Sequence, residues 1–451
     1  MIQDRDLSGV LEANLCIGCG ACAVADPSIR MVLDPTKLMY EPSQPGGHRA
    51  AAVCPAIRVD FEALQASLFP QQDPTPYGVL ESVWLAQSID GDRNRKASSG
   101  GIIKELLREL LSRPEVDGAI ALRHEGGLDF RPALITSEAD VDRLPGSIYH
   151  SLPQDGTLRL LQEHEGRFVV VGIPCQLEGL YNYIFSYEPA LLDRIYMTIG
   201  LLCGWQYTHH SIRAVCDFKG VDPDTIEAIS YRGEGPVGKL RLEADGKETA
   251  VSRRVDFAYQ VAFDRHFNTP RCHLCINHHN MLADVVVGDA WLPDTVFTRT
   301  GISLVINRTL EAERLLGSLV DGGRIRALEV TVDELEESQK PGVLFGDFAY
   351  AYMDYLDEIG AHRPEMSAQN KLRARPRPRA EVEAFHRELQ TKLQLQWAKR
   401  YRRLRWRKAT KELPRLVKRY WDWFLVRILR AKSFGGARRR EIPRDKLNGF
   451  R

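Results

Sequence analysis

The chain has 451 residues, more than one hydrophobic core usually organises, so two to three folded units are expected. Its 44% apolar content is ordinary, no apolar run approaches the roughly 20 residues that span a bilayer, and the polar, acidic start Met1 to Asp6 does not read as a secretory signal. A cytoplasmic setting follows, in which nine cysteines serve metal binding or catalysis rather than structural disulfides, and the net charge of +1 conceals a division between an acidic body and a basic tail.

Residues 1–75 are rich in Cys, Pro and Gly and read as a small unit ending in the linker Phe69 to Pro76. Within it, Cys16, Cys19 and Cys22 stand at two-residue intervals, with Cys54-Pro55 about thirty residues later. That spacing lets one loop grip three irons of a 4Fe-4S cluster while a remote thiol closes the fourth corner, and Gly18 and Gly20 free the backbone around it. A tetrahedral zinc site is the alternative. Two-cluster ferredoxins carry a further Cys-Pro after the third cysteine, where this chain has Asp26-Pro27, so one cluster is expected here.

Residues 76–155 begin with an expected strand at Ser82 to Ser88 and a helix from Ile102 to about Ser112, with apolar residues at helical spacing. Ser98-Ser99-Gly100-Gly101 precedes that helix, with Lys96 nearby. This is either an anion-receiving helix terminus or a serine cap with glycines in a turn.

In residues 156–335, the runs Phe168 to Val171, Asp284 to Val287 and Ile302 to Ile306 alternate with helical patterns, as in an α/β unit. Cys175, Cys203, Cys272 and Cys275 stand at its turning points, two of them just after expected strands, and suffice for a second cluster or for zinc; Cys216 is surplus. Gly288-Asp289 ends a strand where a cofactor can approach. His273, His278 and His279 crowd the second cysteine pair and are candidate proton donors, or ordinary loop histidines.

Residues 336–451 read as a basic helical tail. From position 371 onward there are 27 Lys and Arg against 7 Asp and Glu, leaving 34 against 53 before it, from chain totals of 61 and 60. Leu416 to Leu429 form an apolar stripe amid arginines and lysines, and Trp397, Trp406, Trp421 and Trp423 lie in the same tail. A basic amphipathic helix of this kind suits an anionic membrane surface, hence a peripheral position at the inner membrane face, and removal of residues 371–451 is expected to leave the body intact. No phosphate-binding Gly-x-x-x-x-Gly-Lys-Ser/Thr loop and no Gly-x-Gly-x-x-Gly after a strand is present.

From about residue 10 to residue 310 the motifs resemble one family. They are Cys16 to Cys22, Ser98 to Gly101, Gly146-Ser147-Ile148-Tyr149, Gly172 to Gln176, Cys272 to Cys275, Ala283 to Trp291 and Gly301 to Ile306. The chain resembles the beta subunit of the deazaflavin-coenzyme (coenzyme F-420) hydrogenases and dehydrogenases, whose relatives include reductases of divinyl chlorophyllide and 7-hydroxymethyl chlorophyll. The resemblance implies a mixed α/β (α+β) architecture: a ferredoxin-like N-terminal unit, a flavin-binding α/β body and the basic tail. It also implies two 4Fe-4S clusters and FAD, the pyrophosphate lying on Ser98, Ser99, Gly100 and Gly101 with Lys96, and Gly288 and Asp289 near the ribose or ring. A flavin takes electrons in pairs and releases them singly to clusters. The expected function is an iron-sulfur flavoprotein oxidoreductase passing electrons from a donor, ferredoxin or reduced deazaflavin, to a small conjugated-ring or other organic substrate. The alternatives are an electron-relay subunit whose partner performs the chemistry, and a zinc-bearing nucleic-acid-binding protein using the basic tail.

Overall fold

The computed structural model describes residues 6–70, 72–235, 238–253, 255–263, 266–292, 295, 300–367 and 377–401. β-Branched runs lie where strands buried on both faces are needed. Phe168 and Val170 of one strand point into one hydrophobic core while Val169 points into another, the period-two alternation of a sheet covered on both sides.

Eight strands form that sheet: β4 is Ser82–Ser88, β5 Gly118–Gly126, β6 Asp129–Ile135, β7 Phe168–Gly172, β8 Ile195–Leu201, β12 Val285–Asp289, β13 Ser303–Asn307 and β14 Ile325–Glu329. Their order is β14-β4-β13-β12-β8-β7-β5-β6. The central β5, β7, β8 and β12 are parallel, and the flanking strands pair antiparallel. Strands from both expected inner units, residues 76–155 and 156–335, therefore share one sheet. The expected helix runs Ile102–Leu111 and packs with helix Leu310–Asp321 on one face, while helix Pro174–Tyr187 packs on the other.

A second, antiparallel sheet comprises β9 (Ile226–Ser230), β10 (Lys239–Ala244) and β11 (Lys247–Ser252) in the order β11-β10-β9; helices His210–Lys219 and Phe257–Ala262 complete its own core. The N-terminal unit holds short helices and the hairpin β1 (Met31–Leu33) with β2 (Tyr40–Pro42).

The C-terminal part is not separable from the body at residue 371. Helix Val332–Glu358, opened by a Thr331/Glu334 capping box, leads to β15 (Glu365–Met366), which pairs parallel with β3 (Arg58–Val59) of the N-terminal unit. Helix Arg379–Trp397 then packs Val382, Leu389 and Leu393 into the main core. Tyr401 bonds His210, and Gln396 bonds Thr208 and the His266 carbonyl. Trp397 ends this helix, whereas the stripe Leu416 to Leu429 with Trp406, Trp421 and Trp423 lies outside the described residues. Among the described residues, no helix is long and apolar enough to cross a membrane.

Candidate functional site

The loop Cys16 to Cys22 is shaped by two glycines in the left-handed region, both at φ +75°. A Cβ on Gly18 would lie 2.4 Å from the Leu152 carbonyl oxygen, and one on Gly20 2.3 Å from the Asp155 nitrogen, so neither position admits a side chain. The loop is thereby pressed against the sheet's connecting segment. Backbone N–H groups of Gly18 and Ala21 donate to the sulfurs of Cys16 and Cys19.

The four N-terminal thiols are neighbours: Cys16 feels the charge of Cys54, Cys19 those of Cys54 and Cys16, and Cys22 those of all three. Burial first, with this crowding adding to it, pushes Cys16 up to about 12 and also raises Cys19 and Cys22 well above the usual thiol range. Four thiols at such close quarters cannot all ionise alone, and coordination to a metal is what deprotonates such thiols outright.

The second set also comes together, although its members are far apart in sequence. Cys175 enters at the start of helix Pro174–Tyr187 just beyond β7, Cys203 follows β8, and the 3-10 helix Pro270–Leu274 delivers Cys272 and leads into Cys275. Cys175 feels Cys203, Cys272 and Cys275, and burial lifts Cys275 to about 12. The Cys272 sulfur is held by the Gln206 N–H at 3.3 Å and the Thr269 hydroxyl at 3.0 Å. Cys216 lies elsewhere, buried in the core of the small sheet. Among the described residues, no three His, Cys, Asp or Glu side chains converge as ligands of a single ion.

The two sets meet across helix Pro174–Tyr187. A Cβ on Gly179 would lie 2.8 Å from the Cys19 sulfur, so the helix that opens with Cys175 rests on Cys19 one turn later. Glu178, three residues after Cys175 and therefore on the same face, is buried there and affects Cys19, Cys175, Cys203 and Cys275.

Beyond the second set opens a cavity of about 1850 Å³ at the carboxyl ends of the parallel strands, where open α/β sheets bind ligands. Cys203 forms part of its wall. Its lining includes Lys96, Ser98, Ser99, Gly101 and the first turn of helix Ile102–Leu111, whose Gly101 N-cap (φ +83°) supplies no side-chain cap. The Ser98 hydroxyl accepts the Ser147 N–H, joining two of the recurrent motifs. Lys104, on the same wall, donates to the Leu144 carbonyl at 2.7 Å, and burial with Arg108 close by lowers its pKa to about 8. Aromatic side chains, Tyr149, Trp205, Tyr207, Tyr259 and Phe263, also line the cavity.

Other candidate residues are placed differently. Gly100 does not border the cavity: its N–H donates to the Ser303 hydroxyl and a Cβ would lie 2.5 Å from the Ala86 carbonyl oxygen, so it is a packing glycine. Gly288 borders the cavity but packs on Leu202, and Asp289 pairs with Arg232 at 2.5 Å. Arg232, which sequence reasoning missed, is buried; burial opposes its charge, but Asp289 and Tyr149 beside it outweigh this and raise its pKa. Of the three histidines only His278 borders the cavity, fixed between the Cys203 carbonyl and Gln339, and burial lowers its pKa. His273 packs between Trp205 and Phe385, and His279 edges onto Tyr77.

Comparison with known proteins gives two adjacent family matches. Residues 83–159 match the N-terminal domain, and residues 165–333 the C-terminal domain, of the coenzyme F420 hydrogenase/dehydrogenase beta subunit. The chain is similar to the F polypeptide of the F(420)H(2) dehydrogenase of Methanosarcina mazei, 26% identical over 304 residues covering 66% of this chain and 82% of that one. It is also 22% identical over 302 residues to the beta subunit of the coenzyme F420 hydrogenase of Methanothermobacter thermautotrophicus, covering 65% and 94% respectively. A chain of the F420-reducing NiFe hydrogenase complex from Methanosarcina barkeri shares the fold, with a TM-score of 0.50 and 18% identity, over 64% of this chain and 96% of that one.

Proposed function

Because the chain belongs to the family of coenzyme F420 hydrogenase/dehydrogenase beta subunits, we propose that it is an iron-sulfur flavoprotein oxidoreductase relaying single electrons within a larger redox assembly. In this reading Cys175, Cys203, Cys272 and Cys275 hold one 4Fe-4S cluster, Cys16, Cys19, Cys22 and Cys54 hold the other, and FAD occupies the cavity. The observation that carries it is the chain of adjacency from cavity to Cys203 and its set, to helix Pro174–Tyr187, to Cys19 and its set. That order gives electrons a short path from a ligand in the cavity to the far side of the N-terminal unit.

The donor sets fit these groups. Buried thiols with backbone N–H donors are what iron-sulfur clusters take. The bare helix terminus with Lys96 beside it suits a pyrophosphate. FAD when bound supplies conversion between electron pairs and single electrons. The cavity exceeds the roughly 300–1,000 Å³ of an ordinary single-ligand pocket, and its aromatic lining suits a planar conjugated ring, a deazaflavin or a tetrapyrrole, beside the cofactor. Of the three candidate histidines, His278 is the one that borders this cavity.

Anaerobically purified protein should hold about eight irons with matching sulfide, as two cubanes require, and one noncovalent FAD. Lys96→Glu should weaken flavin retention without removing iron. Stoichiometric zinc with no iron would overturn the reading in favour of the zinc-bearing alternative. Turnover of a ring substrate by the isolated chain with an artificial donor separates an enzyme from a pure relay protein.

A further inference from the structure

Between the two cysteine sets lies a buried ion pair, Arg271 with Glu178, exposed by only 2% and 1%. The guanidinium touches both sets' loops at once. Its Nη1 donates to the carbonyl of Leu274, between Cys272 and Cys275, at 3.2 Å, and its Nη2 to the carbonyl of Pro55, which follows Cys54, at 3.5 Å. The same Nη2 lies 3.5 Å from the Glu178 carboxylate, whose other oxygen accepts the Asn277 amide at 2.9 Å. Glu178 in turn sits on the helix of Cys175, one residue before the Gly179 that rests on Cys19.

Burying an ion pair stabilises a fold little compared with apolar side chains of the same size, so this pair calls for a role beyond packing. Resting on the two-cluster reading above, we infer that Arg271 and Glu178 form a junction that positions the two clusters relative to each other and tunes their reduction potentials. Only a planar fork of donors can hold the Pro55 and Leu274 carbonyls and a carboxylate together. A fixed positive charge favours an added electron and a fixed negative charge disfavours it. The two partners also reach different sets. Glu178 lies on the helix of Cys175, one residue before the Gly179 that rests on Cys19, whereas Arg271 directly precedes Cys272 and bonds the Leu274 carbonyl between Cys272 and Cys275. Glu178 therefore lowers the potential of both clusters, and Arg271 raises chiefly that of the second.

The test is a potentiometric titration of full-length, anaerobically purified protein followed by electron paramagnetic resonance, with iron counted in parallel. Glu178→Gln, nearly isosteric, should make both clusters easier to reduce, by about tenfold in the reduced-to-oxidised ratio at fixed ambient potential, which is about 59 mV for a one-electron couple. Arg271→Gln should shift the second cluster the opposite way, and Arg271→Lys, which keeps the charge, should restore most of that shift. Full iron with unmoved potentials in Glu178→Gln, or shifts of the same sign in Glu178→Gln and Arg271→Gln, would overturn the junction. If Arg271→Gln loses iron, Glu178→Gln and Arg271→Lys decide. Wild-type protein without iron defeats the two-cluster reading itself, a result distinct from either.

Discussion

Gly179→Ala is the most direct probe of whether helix Pro174–Tyr187 is the shared wall between the two cysteine sets. In an unobstructed helix interior this change is favourable by about 1 kcal/mol. Here the new methyl would stand 2.8 Å from the Cys19 sulfur and 2.9 Å from the Cys19 Cβ, against a normal carbon contact of about 3.5–4.0 Å. Relieving an overlap near 1 Å in a packed interior costs roughly 1–3 kcal/mol, so the net change is about 0–2 kcal/mol destabilising instead of 1 kcal/mol stabilising. The larger consequence is geometric, because metal-ligand distances tolerate only about 0.2 Å. A displaced Cys19 should make the N-terminal cluster labile to chelator while the other persists, seen as loss of about half the iron. Gly47→Ala, in the same unit and with nothing within 4 Å of the added Cβ, is the matched control. Full iron and an unlowered melting temperature in Gly179→Ala would refute the reasoning.

Cys216→Ala should retain all iron while lowering stability by about 1 kcal/mol, because this thiol fills a core remote from both sets; iron loss would contradict that placement. Truncation after Tyr401 should leave thermal stability and iron unchanged. Truncation after Ser367 strips the helix that buries Val382, Leu389 and Leu393, worth about 1.5–3 kcal/mol each, and should cut the melting temperature steeply. His209 and His210 are held neutral by burial, with pKa values of about 4 each. Their unfolded pKa is about 6.5, so the unfolded state takes up protons first. Stability is then full above about pH 6.5 and falls towards pH 4, by up to about 3 kcal/mol for each histidine. Denaturant titrations at pH 7.5 and 5.0 should show the drop and His210→Gln should shrink it, whereas a flat profile in the parent would rule the mechanism out.

What was legible in the sequence was what is local. Three cysteines in seven residues must lie close together, and Val-rich runs bounded by glycine must be strands, because both follow from backbone reach and side-chain alternation alone. Glu178 was within reach of the same logic, since three residues after Cys175 on a helix is the same face, yet an acid beside a cysteine carries no spacing signal of its own. Arg271 was hidden for a different reason: its three partners come from residues 55, 178 and 274, brought together only by tertiary packing. The cut at 371 follows charge composition alone, whereas the apolar spacing of Val382, Leu389 and Leu393 carries the core on into helix Arg379–Trp397.

The segments before residue 83 and after residue 333 both lie outside the two family matches, and they hold each other. The Glu365 N–H donates to the Ile57 carbonyl at 2.7 Å, the Ser367 hydroxyl accepts the Glu62 N–H at 3.0 Å, and His362 meets the Ala56 carbonyl at 3.2 Å. All three partners follow within eight residues of Cys54. The N-terminal unit is small, with short helices, one two-stranded hairpin and a core of only Leu7, Cys22, Ala23, Ile29 and Ala50 to itself, so it depends on these contacts. The cysteine loop near one end of the chain is thus anchored twice: by Arg271 and Gly179 from within the matched body, and by a returning strand from the opposite end.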